Sequence, residues 1–183
     1  MMILVVNVCR EKLHCFEFVK TIEDILAGND LKFFTRHYSE ISDDDLEKCD
    51  KVIICGTSLA DNEFIENSEK FSWIKNFDKP ILGICAGMQI IGIIFGGKIV
   101  KDTEIGFFHE GFEKEFLGVK GEVEVYHLHN SCVEFSDDFE VYLSSRIAQA
   151  VKHKNKEIYG VLFHPEVRNK EMIARFANER KNN

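Results

Sequence analysis

A chain of 183 residues with 45% hydrophobic and 30% charged side chains is the size of one domain and can bury a substantial core. Its 31 acidic against 23 basic residues leave a net charge of −8, which argues against nucleic acid or an anionic membrane as the partner of the surface as a whole. No stretch approaches the roughly 18 apolar residues of a membrane span, and the apolar start lacks the basic region and cleavage site of a signal peptide. The six cysteines (9, 15, 49, 55, 85 and 132) form no Cys-x-x-Cys pair, which reads as free thiols in a reducing cytosol and predicts a cytoplasmic protein.

In chain order, residues 3–8 read as a buried strand. From 14 to 27, Phe16, Val19, Ile22, Ile25 and Leu26 recur at helical spacing, and Gly28-Asn29 ends the pattern. Residues 31–35 form a second strand, followed by an acidic loop and a short helix over 42–48. Residues 51–55 form a third strand ending at Gly56, after which a polar stretch leads to a helix running to Phe77. An apolar run from Ile81 to Ile84 is a fourth strand, and a helix over 86–95 stops at Gly96-Gly97. Strands alternating with helices indicate a parallel sheet. The second half differs: 98–101, 122–127, 132–135, 140–144, 148–152 and 158–163 read as strands with short turns, before a closing helix over 169–179. The expected fold is a single α/β domain, 1–183: a doubly wound, mostly parallel sheet with helices on both faces and an added antiparallel strand region. Its active site should lie outside the carboxyl ends of the parallel strands.

Two motifs carry chemistry. Gly83-Ile84-Cys85-Ala86-Gly87 has the form of a nucleophile elbow with sulfur in place of a hydroxyl. Small flanking residues let neighbouring backbone approach, and the helix starting near Ala86 turns its free N–H groups toward the sulfur, which favours a thiolate. Near the other end, an apolar strand finishes in Phe163-His164-Pro165-Glu166. A cysteine nucleophile needs a base, and the base needs a third group to hold its tautomer. His164 and Glu166 can fill those roles, with Pro165 stiffening the corner between them. Either motif alone has an ordinary structural explanation, a buried cysteine or a strand-end histidine, but their conjunction points to one site.

Together, Gly83-Ile84-Cys85-Ala86-Gly87-Met88-Gln89 and Phe163-His164-Pro165-Glu166-Val167 resemble the class I (triad) glutamine amidotransferases, a flavodoxin-like fold. The resemblance runs over nearly the whole chain and includes Glu104-Ile105-Gly106. Within that family, the phrases from Lys79 to Cys85 and from Ala150 to Val161 are most similar to the separate glutaminase subunit of archaeal-type GMP synthases.

The resemblance implies that Cys85 attacks the side-chain amide of glutamine, that His164 moves the protons, and that Glu166 orients His164. A γ-glutamyl thioester then yields glutamate and ammonia. It also implies an oxyanion hole from the Ala86 amide and from the loop after the third strand. Relatives typically carry Gly-Gly-Pro in that loop, where this chain has Gly56-Thr57-Ser58. Two expectations follow. Thr57 either adopts the relatives' backbone geometry at some strain, or misplaces its amide until a partner binds, leaving the isolated chain a poor glutaminase. Gln89, Asn130 and Ser131 are the positions implied to hold the substrate, the last two matched by position alone.

His129 reads as a surface strand residue or a partner contact. The basic run from Lys152 to Lys156 reads as a solvated hairpin, or a contact for an acidic partner surface. The chain contains neither Gly-x-x-x-x-Gly-Lys-Ser/Thr nor Ser-Gly-Gly-x-Asp-Ser. No cofactor or metal is therefore expected on this chain; ATP and magnesium belong to a separate ATP-pyrophosphatase synthetase that takes the ammonia. The alternatives are a glutaminase for a different synthase, a stand-alone γ-glutamyl hydrolase, and a catalytically weak regulatory homologue.

Overall fold

The structure, a computed structural model, describes residues 1–179. Strand β1, Met2–Asn7, starts the sheet. Successive side chains on a strand point to opposite faces, and here Ile3 and Val5 enter one core while Leu4 and Val6 enter the other. Two apolar faces require cover on both sides, which the helices provide. The single helix expected over 14–27 is two, α1 (Cys15–Phe18) and α2 (Lys20–Gly28), which meet at Val19, whose N–H still donates to the Cys15 carbonyl and whose carbonyl accepts from Glu23. Strand β2, Lys32–His37, leads to α3, Asp43–Lys48. Ser42 and Asp45 close a reciprocal capping box at the start of α3.

After β3 (Lys51–Ile54) and the short α4 (Glu63–Glu66), the chain runs through 3-10 turns over Ser68–Asn76, not the α-helix expected up to Phe77. Its buried anchors, Phe71, Ile74 and Phe77, recur every third residue, the period at which side chains eclipse in a 3-10 helix. Then come β4 (Ile81–Ile84) and α5 (Ala86–Ile94), which is buried on nearly every side.

Two long strands follow, β5 (Lys98–Phe116) and β6 (Val119–Glu134), paired antiparallel as a ribbon of their own. Separate strands at 98–101, 122–127 and 132–135 were expected; they are parts of this one hairpin, and 102–116 had no assignment. Much of β5 is exposed and lacks a sustained apolar alternation; its partner strand, not a core of its own, holds it extended. At the tip, Leu117 and Gly118 have φ of 49° and 82°, the left-handed pair of a tight hairpin turn. Leu117, Phe112 and Phe116 pack into the core that contains Phe163 and Phe176, so the ribbon is fastened back onto the body.

Strands β7 (Phe139–Ser144), β8 (Ala148–His153) and β9 (Ile158–Val161), then α6 (Pro165–Arg168) and α7 (Lys170–Asn178), complete the described chain. The main sheet has the order β2-β1-β3-β4-β9-β8-β7. Strands β2, β1, β3, β4 and β9 are parallel, and β8 pairs antiparallel with both β9 and β7. The carboxyl ends of β3, β4 and β9 are neighbours, and they deliver Gly56, Cys85 and His164 to one place. No helix among the described residues is long and apolar enough to cross a membrane.

Candidate active site

Cys85 occupies the joint between β4 and α5 with φ 49° and ψ −102°, a conformation costly for a side-chain-bearing residue. Packing holds it there. A β-carbon on Gly87 would lie 2.3 Å from the Ile54 carbonyl oxygen, and one on Gly83 would lie 2.5 Å from the Gly87 carbonyl carbon. Both glycines are therefore demanded by close approach. The Cys85 N–H donates to the Val161 carbonyl at 2.8 Å, tying the elbow to β9. Its Sγ donates to the Leu128 carbonyl of the ribbon at 3.7 Å.

His164 caps α6 with Pro165 at the first helical position, where a missing N–H costs nothing. Its backbone N–H donates to the Tyr126 carbonyl at 2.8 Å. The Nδ1–H donates to Glu166 Oε1 at 2.7 Å, and His164 and Glu166 are 1% and 4% exposed. Nε2, the other ring nitrogen, is buried and makes no hydrogen bond. Burial by itself would push the imidazole's proton affinity down. The negative charge of Glu166, together with the neighbouring Cys85 sulfur, outweighs it and holds the His164 pKa well above its ordinary value. The Phe18 ring, 5.5 Å from the imidazole centroid, covers the pair.

A small, tight cleft opens in front of Cys85, walled by Thr57, Ala86, Gln89, Asn130 and Ser131 among others. Gly56 stands behind it against His164 and Cys85. Gln89 is 4% exposed, and its amide donates to the Ser131 carbonyl at 2.8 Å. Asn130 Nδ2 donates to the Leu59 carbonyl at 2.8 Å, fastening the ribbon to the loop after β3. Thr57 is not strained: among described non-glycine residues, positive φ occurs only at Asp30, Cys85 and Leu117. Its hydroxyl donates to Asp61 Oδ2 at 2.8 Å, and that same oxygen accepts from the Arg10 N–H at 2.7 Å. Asp61, not singled out from the sequence, thus pins the loop; its position four residues after Thr57 in an unpatterned polar stretch is the only signal it leaves.

Two histidine readings are corrected. His129 is buried at 2%, not on the surface. His153 in the basic run is also buried; its Nδ1 accepts from the Asn155 and Lys156 N–H groups. Lys156 bonds Asp78 and Lys152 bonds Glu157, so this hairpin is largely satisfied within the chain.

All six cysteines are free. Burial pushes the Cys9 thiol up to about 12 and the Cys132 thiol up to about 11, and raises Cys49 and Cys55 too.

Residues 16–180 match the family model described as Glutamine amidotransferase class-I. The chain belongs to this family. It is 31% identical over 140 residues, 70% of this chain and 69% of the other, to a Thermoplasma acidophilum protein named as one of the subunits of glutamine-hydrolyzing GMP synthase. It is 39% identical over 111 residues to a protein of the same name from Methanobrevibacter smithii, but that match spans only 55% of this chain and 56% of the relative. Among solved structures, a Thermoplasma acidophilum protein described as a GMP synthase component superposes with a TM-score of 0.85 at 25% identity, covering 97% of this chain and 92% of the other. A Thermotoga maritima glutamine amidotransferase superposes with a TM-score of 0.72 at 18% identity, covering 91% and 76%, which speaks for the fold.

Proposed function

We propose that this chain is the glutaminase subunit of a two-chain GMP synthase, acting in the cytoplasm as a single amidotransferase domain. The observation that carries this reading is the His164–Glu166 hydrogen bond of 2.7 Å, buried beside a cysteine on a strained elbow. In the proposed reaction, Cys85 gives its proton to His164 Nε2 and the thiolate attacks the side-chain amide carbon of glutamine. The imidazolium, stabilised by Glu166, returns that proton to the departing ammonia, and a γ-glutamyl thioester remains. His164 then takes a proton from water, which attacks the thioester; glutamate leaves and the thiol is restored.

Both tetrahedral intermediates carry an oxyanion, for which the Ala86 and Thr57 amides are the candidate donors beside Gly56. One such donor is worth about 3–4 kcal/mol in a measured case. Gln89, Asn130 and Ser131 form the wall that would meet the amino-acid end of glutamine. ATP and magnesium act on the partner synthetase, and glutamine hydrolysis itself needs no cofactor.

The test is glutamate release by the full chain, alone and with its cognate ATP-pyrophosphatase, ATP, magnesium and nucleotide acceptor. Coupled release with ammonia transfer supports the proposal. Full activity of the lone chain, unchanged by any synthetase, sinks it and favours a stand-alone γ-glutamyl hydrolase.

A further inference from the structure

A second cluster of chemistry-bearing side chains sits on the ribbon, separate from Cys85, His164 and Glu166. The register of β5 and β6 pairs Glu104 directly with His129, and residues two apart on a strand share a face, so His127 joins them. One ligating atom from each of Glu104, His127 and His129 lies within 4.8 Å of the others. Glu104 Oε2 is 3.1 Å from His129 Nε2 and 3.7 Å from His127 Nδ1. Donors held about 2.0–2.1 Å from a tetrahedral zinc ion stand roughly 3.3 Å apart, which these separations approach.

The far side of each ring also has the form of a metal ligand's support. His129 Nδ1 faces the Asp102 carbonyl at 3.2 Å, and His127 Nε2 faces Glu110 Oε1 at 3.4 Å. Metal-bound imidazoles almost always turn their second nitrogen to a carbonyl or a carboxylate. Two neutral rings carry two N–H groups, and each outer acceptor faces one of them. The inner nitrogens then present lone pairs to the Glu104 carboxylate, an arrangement that a cation between them resolves.

Independent evidence comes from unpartnered atoms. His127 is 0% exposed, yet neither ring nitrogen makes a well-formed hydrogen bond, a costly state for a buried polar group. Gln149, also 0% exposed, has an unpartnered Oε1 while its Nε2 donates to Glu104 Oε2 at 2.6 Å. Arg146 lies on the other oxygen, 3.8 Å from Oε1, and is paired with Asp102.

We propose that Glu104 Oε2, His127 Nδ1 and His129 Nε2 bind one divalent transition-metal ion, zinc by ligand type, with the fourth position open to Gln149 Oε1 or water. The ion is a brace and takes no part in glutamine hydrolysis. It clamps β5 to β6 around Leu128, whose carbonyl meets Cys85, and two residues before Ser131, which holds Gln89. This departs from the sequence reading, which assigns no metal to the chain.

The experiment strips the full chain with a chelator, returns Zn²⁺ alone, and follows binding by calorimetry and thermal melting. One ion should bind per chain and raise Tm. Glu104→Gln and His127→Gln should each weaken affinity at least tenfold and remove the rise in Tm, whereas Cys15→Ser should change neither. Co²⁺ added to the stripped wild type should give ligand-field bands of low-coordinate N/O ligation and no thiolate charge-transfer band, a readout that stands even if a variant fails to fold. Absence of binding by the wild type, wild-type affinity in either folded variant, or a thiolate band from Co²⁺ overturns the proposal.

Discussion

Gly56 lies so close to His164 that a β-carbon on it would meet the imidazole Cε1 at 2.7 Å and Cys85 Cβ at 3.4 Å. The end of β3 is thus a rear wall for the proposed base and nucleophile. His164 has little freedom to retreat, because Glu166 holds Nδ1 and Phe18 packs on the ring. Gly56→Ala should therefore displace the imidazole and lower kcat by about 10²-fold, the cost typical of a misplacement near 1 Å. Steady-state kinetics beside a urea melt would check this; unchanged kcat would show that the ring has another position open to it.

A glutamine-analogue electrophile such as a diazo-ketone should label Cys85 and spare Cys9, Cys49, Cys55 and Cys132. Burial keeps those four protonated at neutral pH, and only the thiolate is a strong nucleophile. Cys15, half-buried and accepting from Asn7 Nδ2 at 3.2 Å, lies outside the substrate cleft and should escape the analogue too. Peptide mapping by mass spectrometry gives the answer. Label on another cysteine with Cys85 untouched would refute the assignment of the nucleophile.

His164→Ala should abolish turnover, whereas Glu166→Gln should leave a small residual rate. The raised His164 pKa sets a sign for stability. The protonated ring contributes stability fully present below its ordinary value of 6.5 and lost as pH rises through the raised folded value. Glu166→Gln removes much of that charge coupling, so its destabilisation should be larger at neutral than at strongly alkaline pH. Denaturant melts across that range measure it, and a penalty growing with pH would contradict the coupling.

Thr57 is held by Asp61, not by backbone strain. Thr57→Gly should release the loop and, if this anchor keeps an oxyanion donor away in the lone chain, raise basal glutaminase activity toward the partner-stimulated rate. The gap between the two rates should be about 10²–10³-fold, the cost of one absent donor. Basal activity that falls in Thr57→Gly, while the wild type already matches the stimulated rate, would mean the anchored loop is the working one.

Asp45 offers a stability test far from the cleft. Lys48 bonds its carboxylate at 2.6 Å, and the Ser42 capping contacts and Arg36 add to this, lowering its pKa from 3.8 to about 2. A depressed carboxylate contributes stability that is present above the unfolded value and lost as pH falls through the folded one. Asp45→Asn should cost about 1 kcal/mol at neutral pH, with the difference from wild type shrinking between pH 4 and pH 2. Equal destabilisation at both ends would assign the effect to packing.

The elbow and the His-Pro-Glu corner were legible from the chain alone because each is a local device. Gly83, Cys85 and Gly87 are separated by one residue each, and Pro165 acts on its immediate neighbours, so spacing within one window determines the backbone. The alternation that gives β1 two buried faces is likewise written in adjacent residues. Only the tertiary structure decided what depends on distant partners. Residues 102–116 form a strand because β6 pairs with them, and Gln89, His129 and His153 are buried because elements far along the chain close over them. Asp61 matters through contacts with Thr57 and with Arg10, 51 positions away. His127 meets Glu104 across a hairpin whose register the local pattern does not specify. Periodicity records which face of an element is apolar; it carries no record of which polar side chains the folded chain brings onto the same face.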